Sequence, residues 1–363
     1  MKRNHEYYMN IAMKLALKAK GQTSPNPMVG ALVVKRGRIV GRGYHKKCGL
    51  AHAEVEALEE AGTLSKGASL YVTLEPCIHF GRTPPCVDRI IKSGINEVIV
   101  GMLDPNLLNN GKGIHILRQH KIKVHVGILE ESLRKLNEVF IKYILKKMPF
   151  VTVKVAESLD GKIATSRGDS KWITSDKSRF YAHRLRQNYD AVMVGVNTIL
   201  RDNPRLDAWF SAKQPVKIIV DSQLSTPRDA NVFAAKNQVI VVTLSSRPGQ
   251  ETENRKMLAE KARILEVKEK EGQVNLKDMM KKLARLEITS VLVEGGGTLI
   301  GSLFDERLVD KVMFYISPKI IGGKEAISSV MGKGIGRIEK AIKLRDVRWK
   351  KSGEDFLIEG YVK

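Results

Sequence analysis

Four residues in the first quarter of the chain have the types and spacing of a catalytic zinc site. His52 and Glu54 stand two positions apart, and Cys77 and Cys86 follow, each directly after a proline. One imidazole and two thiolates leave the open position for water that a catalytic zinc keeps. Zinc lowers the pKa of bound water to about 7, and a carboxylate that is not a ligand can then move its proton. We predict one Zn²⁺ per chain on His52, Cys77 and Cys86, with Glu54 as the proton carrier.

The order of these residues is typical of zinc deaminases, which carry H-x-E followed by P-C and a second Cys. Eight residues separate Cys77 from Cys86, more than the two to four of a compact zinc hairpin. His79 lies in this loop and is an alternative fourth ligand. A closed four-ligand site would be structural and would leave Glu54 without a role, so the open site is favoured.

Length and composition limit the class of protein. The 363 residues exceed the usual size of one hydrophobic core and predict two domains. The sequence contains no apolar run of membrane-spanning length, and its first residues do not resemble a signal peptide. Two of the three cysteines are assigned to zinc, which indicates a reducing compartment and predicts a cytoplasmic protein.

The net charge of +23 raises the question of nucleic-acid binding. Residues 1–146 carry 11 of these charges, so the excess is spread over both halves and forms no basic arm. Few aromatic residues accompany it to stack on bases. Anionic small molecules explain the charge equally well. A nucleic-acid base deaminase or RNA-binding protein remains an alternative.

The first half alternates between predicted strands and helices. This alternation predicts a mostly parallel sheet covered by helices on both faces. The strands are predicted at 29–34, 39–43, 69–74, 97–102 and 122–126, the first two as a hairpin, and the helices at 11–20, 52–61, 86–93, 114–120 and 130–146.

The alternation of predicted strands and helices begins again after a short basic segment at 146–149, which predicts domains at 1–146 and 149–363. Runs of β-branched and aliphatic residues in the second half indicate strands buried in an α/β sheet. These strands are predicted at 150–156, 191–196, 216–221, 239–243 and 290–293, with helices at 177–187 and 276–286 and a surface helix and loop at 250–273.

A glycine-rich turn at 294–297 follows the last of these strands and precedes a predicted helix. Main-chain amides at such a turn can bind a phosphate. The turn is not G-x-G-x-x-G, so the Rossmann dinucleotide motif is absent. Two further polar clusters lie at 162–172 and 201–205. These residues predict a phosphorylated ligand and leave the reaction open.

The motifs of both halves together resemble one known family, the bifunctional riboflavin biosynthesis deaminase–reductases. The resemblance covers nearly the whole chain, and the run from Glu75 to Cys86 with its eight-residue gap is its most specific part. The matching segments are 25–30, 52–54, 75–86, 158–164, 172–175 and 294–297.

The resemblance implies a cytidine-deaminase-like three-layer α/β/α domain followed by a dihydrofolate-reductase-like α/β domain. The first domain would remove an amino group from 2,5-diamino-6-(5-phosphoribosylamino)pyrimidin-4-one. The second would use NADPH to reduce the ribosyl group of 5-amino-6-(5-phosphoribosylamino)uracil to ribityl. The family also implies a homo-oligomer, a dimer or tetramer, that acts on a small phosphorylated pyrimidine and involves neither nucleic acid nor membrane.

Motif matches assign three further groups of residues by resemblance. Deaminase substrate contacts are Asn26, His45, Asp104 and Asn106. Reductase substrate contacts are Ser170, Arg186, Leu206 and Glu294. NADPH contacts are Trp172, Thr198, Asp202, Ser222, Gly295, Gly296 and Gly297.

One departure from the family pattern bears on the reductase. The family's Leu-Thr-x-Arg is Leu206-Asp207-Ala208-Trp209 in this chain, so the arginine that would pair with the substrate phosphate is absent. Losing a hydrogen bond to a charged group weakens binding by about 10- to 150-fold. Arg186, Arg205 and Lys213 are the candidate replacements. An active deaminase with a weakened or inactive reductase is therefore an alternative hypothesis.

Overall fold

The computed structural model describes residues 2–80, 84–209, 213–234, 238–245 and 253–363. The chain divides into two compact units, Met1–Lys147 and Met148–Lys363. Each unit has its own hydrophobic core. No helix in the described ranges is long and apolar enough to cross a membrane.

The first unit contains one mixed five-stranded sheet in the order β2-β1-β3-β4-β5. Strands β3, β4 and β5 are parallel, whereas β1 is antiparallel to both β2 and β3. The predicted hairpin is confirmed. Four of the five strands run in one direction and β1 alone is reversed, so the sheet is mostly parallel, as predicted. The strands are β1 (Gly30–Lys35), β2 (Arg38–Tyr44), β3 (Ser69–Leu74), β4 (Glu97–Met102) and β5 (Lys123–Val126). The helices are α1 (Lys2–Leu17), α2 (Ala53–Ala61), α3 (Cys86–Lys92), α4 (Lys112–Gln119), α5 (Glu130–Leu136) and α6 (Glu138–Lys146).

Helix α2 lies directly on strand β2 because two glycines allow a close approach. A side chain at Gly43 would place its Cβ 2.1 Å from the Ala53 carbonyl oxygen, and one at Gly41 would lie 2.1 Å from that of Ala57. Any larger residue would push the helix off the sheet. This contact fixes the position of the start of α2, where two of the candidate zinc-site residues lie.

Two helix predictions in this unit are corrected. Helix α1 begins at Lys2 rather than 11 and ends at Leu17 rather than 20. The single helix predicted at 130–146 is two helices that meet at Asn137. The buried Asn137 side chain accepts a hydrogen bond from the Met28 N–H (2.8 Å) and donates one to the Met28 carbonyl (3.0 Å). This contact lies where the two helices meet. It joins residues far apart in the sequence, so the spacing of apolar residues along the helix could not reveal it.

The second unit is built on a nine-stranded sheet in the order β11-β10-β9-β8-β14-β6-β15-β18-β17. It is parallel from β11 to β15, and β18 and β17 add an antiparallel edge. The strands are β6 (Phe150–Ser158), β7 (Lys162–Ala164), β8 (Ala191–Gly195), β9 (Val216–Val220), β10 (Val239–Leu244), β11 (Arg263–Val267), β12 (Glu269–Lys270), β13 (Gln273–Val274), β14 (Ser290–Val293), β15 (Lys311–Ser317), β16 (Ile327–Ser328), β17 (Leu344–Ser352) and β18 (Asp355–Val362). The helices are α7 (Asp176–Leu185), α8 (Val196–Asp202), α9 (Glu253–Ala259), α10 (Leu276–Arg285) and α11 (Gly297–Asp305).

The five predicted strands of this unit are confirmed, but the region 250–273 is corrected. It contains α9 and also β11, a strand of the main sheet, while 250–252 lie outside the described residues. The sequence analysis also missed β15, β17 and β18, and in β17 seven consecutive residues are exposed. A strand with both faces in solvent shows no alternation of apolar and polar residues, so the pattern could not reveal it.

Candidate active sites

The first candidate site brings together the three predicted zinc ligands from three elements. His52 is the N-cap of α2, Cys77 follows β3, and Cys86 is the first residue of α3. The Nδ1 atom of His52 lies 3.2 Å from Cys86 Sγ and 3.6 Å from Cys77 Sγ. Pro85 is the N-cap of α3, and the Cys86 amide donates to Cys77 Sγ at 3.4 Å.

This donor set fits a tetrahedral zinc ion. The three ligand atoms lie within 4.8 Å of one another, and they form the one such His/Cys/Asp/Glu cluster in the described ranges. Ideal Zn–N and Zn–S bonds separate the donors by roughly 3.5 Å. The Cys86 thiol and then His52 hydrogen-bond to Cys77 and lower the pKa of its thiol to about 4, while the same contact with Cys77 and burial raise the pKa of Cys86. The thiolate form is therefore favoured at Cys77, and zinc would displace the proton of Cys86. His79, the alternative fourth ligand, is exposed and is not part of the cluster.

Glu54 lies on the first turn of α2 beside the three ligands and is only 3% exposed. Burial and then the nearby Cys77 raise the pKa of its carboxyl group to about 7. A carboxyl group with such a pKa can both accept and release a proton near neutral pH. The geometry therefore suits the proton-carrying role predicted for it.

The buried His45 and the half-buried Asn26 form a pair next to His52. The His45 ring lies edge-on to the His52 ring, with 5.3 Å between the centroids. His45 Nδ1 is 3.1 Å from the Ala51 carbonyl, so it carries the hydrogen, and Nε2 accepts from the Asn26 amide at 3.1 Å. Burial lowers the pKa of His45, which favours this neutral form. The pair presents polar groups without charge, as suits an uncharged pyrimidine.

Asp104 and Asn106, predicted to contact the substrate, lie in the loop after β4. The Asp104 carboxylate accepts hydrogen bonds from the Asn106 N–H (2.9 Å) and from the Asn109 side chain (3.2 Å). Asn109 is fully buried, and its Oδ1 also accepts from the Ile78 N–H at 3.1 Å. Asn109 thus joins this loop to the segment that follows Cys77, a role that the sequence analysis missed.

The second candidate site lies at the carboxyl ends of the parallel strands of the second unit. Gly295, Gly296 and Gly297 follow β14, Thr198 lies on α8 after β8, and Ser222 follows β9. A Cβ at Gly296 would lie 3.5 Å from Thr198 Oγ1, and one at Gly297 would meet the Ser328 carbonyl at 2.3 Å. This edge is where ligands bind in open α/β sheets. The amides at the start of α11 fit a cofactor phosphate.

Three further predicted residues lie on other segments of this unit. The Ser170 hydroxyl donates to Asp202 Oδ1 at 3.0 Å, which connects the 165–172 loop to the end of α8. Trp172 is 62% exposed, with the Arg179 guanidinium 4.2 Å from its ring centroid. The Leu206 side chain, in contrast, is buried in the core at 3% exposure. A ligand contact of Leu206 is therefore confined to its main chain.

Glu294 and Arg186 form a buried, bidentate ion pair beside the glycine turn. Arg186 Nε lies 2.6 Å from Glu294 Oε1, and its Nη2 donates to Oε2 at 3.0 Å. Lys154 Nζ, 3.7 Å from Glu294 Oε2, completes the cluster. Burial lowers the pKa of Lys154. The sequence analysis missed Lys154, although a single lysine in the apolar strand β6 was a detectable signal.

Comparisons with known proteins identify the family. Residues 149–358 match the RibD C-terminal domain, and residues 2–102 match the zinc-binding region of cytidine and deoxycytidylate deaminases. The chain is 48% identical over 354 residues to the riboflavin biosynthesis protein RibD of Aquifex aeolicus (strain VF5), covering 97% of this chain and 96% of that protein. The chain belongs to the RibD family. The RibD of Actinobacillus pleuropneumoniae is 44% identical over 97% of this chain and 94% of its own length.

Solved structures of the RibD family agree over the whole chain. Acinetobacter baumannii RibD superposes with a TM-score of 0.90 at 32% identity, covering all of both chains. The Thermotoga maritima diaminohydroxyphosphoribosylaminopyrimidine deaminase/5-amino-6-(5-phosphoribosylamino)uracil reductase gives a TM-score of 0.85 at 39% identity, covering 100% of this chain and 99% of that one. The predicted fold of a cytidine-deaminase-like domain followed by a reductase domain is confirmed.

Membership of the RibD family makes the chain a bifunctional enzyme of riboflavin biosynthesis. It has a zinc-dependent deaminase domain and an NADPH-dependent reductase domain. Neither the weakened reductase nor the nucleic-acid deaminase is favoured, because the match to RibD proteins extends through both halves.

Glu75 is a further residue that the sequence analysis did not single out, although it opens the family's most specific motif. Its buried carboxylate accepts hydrogen bonds from the main-chain N–H groups of Asp104 (3.1 Å), Gly111 (2.9 Å) and Gly113 (3.0 Å). Glu75 thereby fixes the loop that carries Asp104 to the end of β3. It acts on the deaminase site through the main chain of this loop.

We expect Glu75→Gln to raise the KM for deamination and to lower the free energy of unfolding by about 2 kcal/mol. An amide nitrogen cannot accept a hydrogen bond, and bonds to a charged group contribute roughly 1.5–3 kcal/mol. Steady-state ammonia release and thermal unfolding measure the two effects. Glu59→Gln is the matched control, because Glu59 is 59% exposed and pairs with Arg89 at the surface. An unchanged KM in the Glu75 variant would contradict the positioning role.

Proposed function

We propose that the chain deaminates 2,5-diamino-6-(5-phosphoribosylamino)pyrimidin-4-one and then reduces 5-amino-6-(5-phosphoribosylamino)uracil with NADPH. The observation that carries the proposal is the grouping of His52, Cys77 and Cys86 around a buried Glu54. The Thermotoga maritima relative, named for both reactions, supports the choice of substrates.

In the deaminase domain, His52, Cys77 and Cys86 would hold zinc, which supplies a Lewis acid that activates water. Glu54 would receive the proton from the attacking water at a carboxylate oxygen and deliver it to the leaving amino group. The Asn26 and His45 pair and the loop of Asp104 and Asn106 would orient the pyrimidine.

In the reductase domain, Thr198, Asp202, Ser222, Trp172 and the 295–297 turn would hold NADPH, which supplies a hydride when bound. Glu294, Arg186, Ser170 and the main chain at Leu206 would bind the sugar portion of the substrate. The Lys154 ammonium would supply the proton at Nζ, since burial outweighs the opposing charge of Glu294, lowers the pKa of Lys154 and makes it a stronger acid than an exposed lysine.

Two assays on one sample test the proposal. Purified protein with zinc should release ammonia from the diaminopyrimidine phosphate, and NADPH oxidation should follow. Removing zinc with a chelator should stop ammonia release and leave reduction of the uracil substrate unchanged. Deamination without any NADPH oxidation would contradict the reductase assignment.

We further propose that the enzyme acts in the cytoplasm as a homo-oligomer, a dimer or tetramer, without nucleic-acid or membrane partners. All three cysteines lie in the described part of the chain and none forms a disulfide, which supports a reducing compartment. Trp349 on the edge strand β17 and Phe356 on the neighbouring β18, 73% and 43% exposed, support contact with a second copy. Analytical ultracentrifugation gives the oligomeric state, and a monomer would exclude the homo-oligomer.

A further inference from the structure

The segment from Arg205 to Trp209 differs from the family pattern in a way that changes the charge of the reductase site. A threonine is replaced by Asp207 and an arginine by Trp209, so this segment loses a cation and gains an anion. A site for a phosphorylated sugar needs positive charge, because phosphate is held by charge-assisted hydrogen bonds. The charge must therefore be supplied by another residue.

The carboxylate of Asp207 lies between two cations. Lys217 Nζ is 2.7 Å from Asp207 Oδ1, and Arg205 Nε is 2.9 Å from Oδ2. The Lys217 side chain is fully buried in strand β9, and its Nζ also donates to the Val232 carbonyl at 3.0 Å. Lys217 thus neutralises Asp207 from the interior. The three residues keep one net positive charge, and it belongs to Arg205.

Arg205 is linked through Asp207 to Arg186, one of the residues assigned to the reductase substrate. The Asp207 main-chain oxygen accepts a hydrogen bond from Arg186 Nη1 at 2.9 Å, so both arginines contact the same residue. Asp207 engages only Nε of Arg205, and the described residues provide no ion-pair partner for its two terminal nitrogens. The Arg205 side chain is 64% exposed. Its terminal nitrogens have the planar, forked geometry that binds phosphate oxygens in pairs.

The other side chains near this segment are poorer candidates. Trp209 stacks on His183, with 3.7 Å between the ring centroids and 4° between the planes. Burial and then the charge of Arg186 lower the pKa of His183 to about 4, so this ring is neutral at pH 7. The Arg186 charge is balanced by its bidentate contact with Glu294.

Lys213 is excluded by its place in the fold. It pairs with Asp190, which immediately precedes β8. The Asp190 carboxylate also accepts from the Thr289 N–H just before β14. Lys213 therefore lies at the amino ends of these parallel strands, whereas Glu294 follows the carboxyl end of β14.

We propose that Arg205 binds the phosphate of the reductase substrate in this chain, in place of the arginine that the family carries at position 209. Asp207 is the positioning residue. Its carboxylate pairs with the buried Lys217 and holds the Arg205 guanidinium through Nε. The inference rests on the proposed reductase function and names the residue that recognises its substrate.

The test is the steady-state kinetics of Arg205→Gln in the full-length protein. The KM for 5-amino-6-(5-phosphoribosylamino)uracil should rise about 10- to 150-fold, with kcat and the KM for NADPH within about twofold of the parent. Adding Trp209→Arg to this variant should lower the KM again, because it restores the family's arginine. Arg263→Gln, at the exposed first residue of the edge strand β11, is the matched control and should change neither KM.

A second comparison tests whether Asp207 acts by positioning Arg205 or only by stabilising the fold. Asp207→Asn should raise the substrate KM in the parent protein and have no further effect on it in the Arg205→Gln background. An unchanged substrate KM in Arg205→Gln would overturn the proposal. A rise confined to the KM for NADPH would also overturn it, since Arg205 would then bind a cofactor phosphate.

A binding measurement keeps this inference distinct from the proposed function. Calorimetric titration of the full-length protein with ribose 5-phosphate should show binding that Arg205→Gln weakens about 10-fold or more. Ribose without phosphate should not distinguish the two proteins. A parent protein that does not oxidise NADPH but passes this test would contradict the proposed reaction and retain Arg205 as the phosphate ligand. Equal affinity of both proteins for ribose 5-phosphate would overturn Arg205 alone.

Discussion

Replacing Glu54 with glutamine is expected to slow deamination by about 10²- to 10⁴-fold while the zinc content stays at one ion per chain. Glutamine has the size of glutamate and fits the same buried position, but its amide can neither accept the proton of water nor deliver it. His52, Cys77 and Cys86 are unchanged, so metal binding should persist. Ammonia release measures the rate, and metal analysis of the same sample measures zinc.

Two controls make this result specific. NADPH-dependent reduction should be unaffected, because the reductase residues belong to the other compact unit. Glu60→Gln alters the same helix at a side chain that is 50% exposed and pairs with Arg42, and it should leave deamination unchanged. A normal rate in the Glu54 variant with full zinc would mean that another group moves the proton.

Replacing Glu294 with glutamine is expected to abolish reduction and to lower the free energy of unfolding by about 3–5 kcal/mol. The glutamate is the shared counter-charge of two cations, Arg186 and Lys154, whose side chains are 9% and 13% exposed. Removing one partner of a buried ion pair leaves the other charge without compensation. All three tryptophans lie in the second unit, so tryptophan fluorescence follows the unfolding of this unit.

The pH dependence of stability provides a second measurement on the same pair of proteins. Burial opposes ionisation of Glu294, but Arg186 and then Lys154 outweigh it and lower the pKa from 4.5 to about 2. Such a group stabilises the fold above its unfolded pKa, and this contribution is lost as the pH falls. The free energy of unfolding of the parent protein should therefore fall between pH 4.5 and about 2, and this part should be missing in the variant.

Glu271→Gln is the control for both measurements. Glu271 pairs with Lys333 at the surface, where it is 64% exposed, and such pairs contribute little to stability. If the Glu294 variant had the same free energy of unfolding as the parent, with the same dependence on pH, the buried ion pair would not stabilise the reductase site.

The zinc cluster could be predicted from the sequence because its chemistry depends on residue types in short motifs. The positions of His52 at the start of α2 and of Cys86 at the start of α3 also followed from local signals, a polar N-terminus and a preceding proline. The break at Asn137 could not be predicted, because its cause is a contact with Met28, 109 residues away in the sequence. Strand β17 was equally hidden, since its exposed faces remove the alternation that identifies strands.

The sequence by itself therefore determined the two domains and the family, and it predicted the zinc ligands with Glu54. It also showed that the family's arginine is absent at position 209, and it left three cations as candidates to replace that arginine. Only the tertiary structure distinguished among them. Arg186 is matched by Glu294, Lys213 lies at the other end of the strands, and Arg205 is held by Asp207 over the buried Lys217. The physical reason is that charge balance depends on distance and burial, and the partners that decide it here, Glu294 for Arg186 and the buried Lys217 for Asp207, are brought together only by the fold.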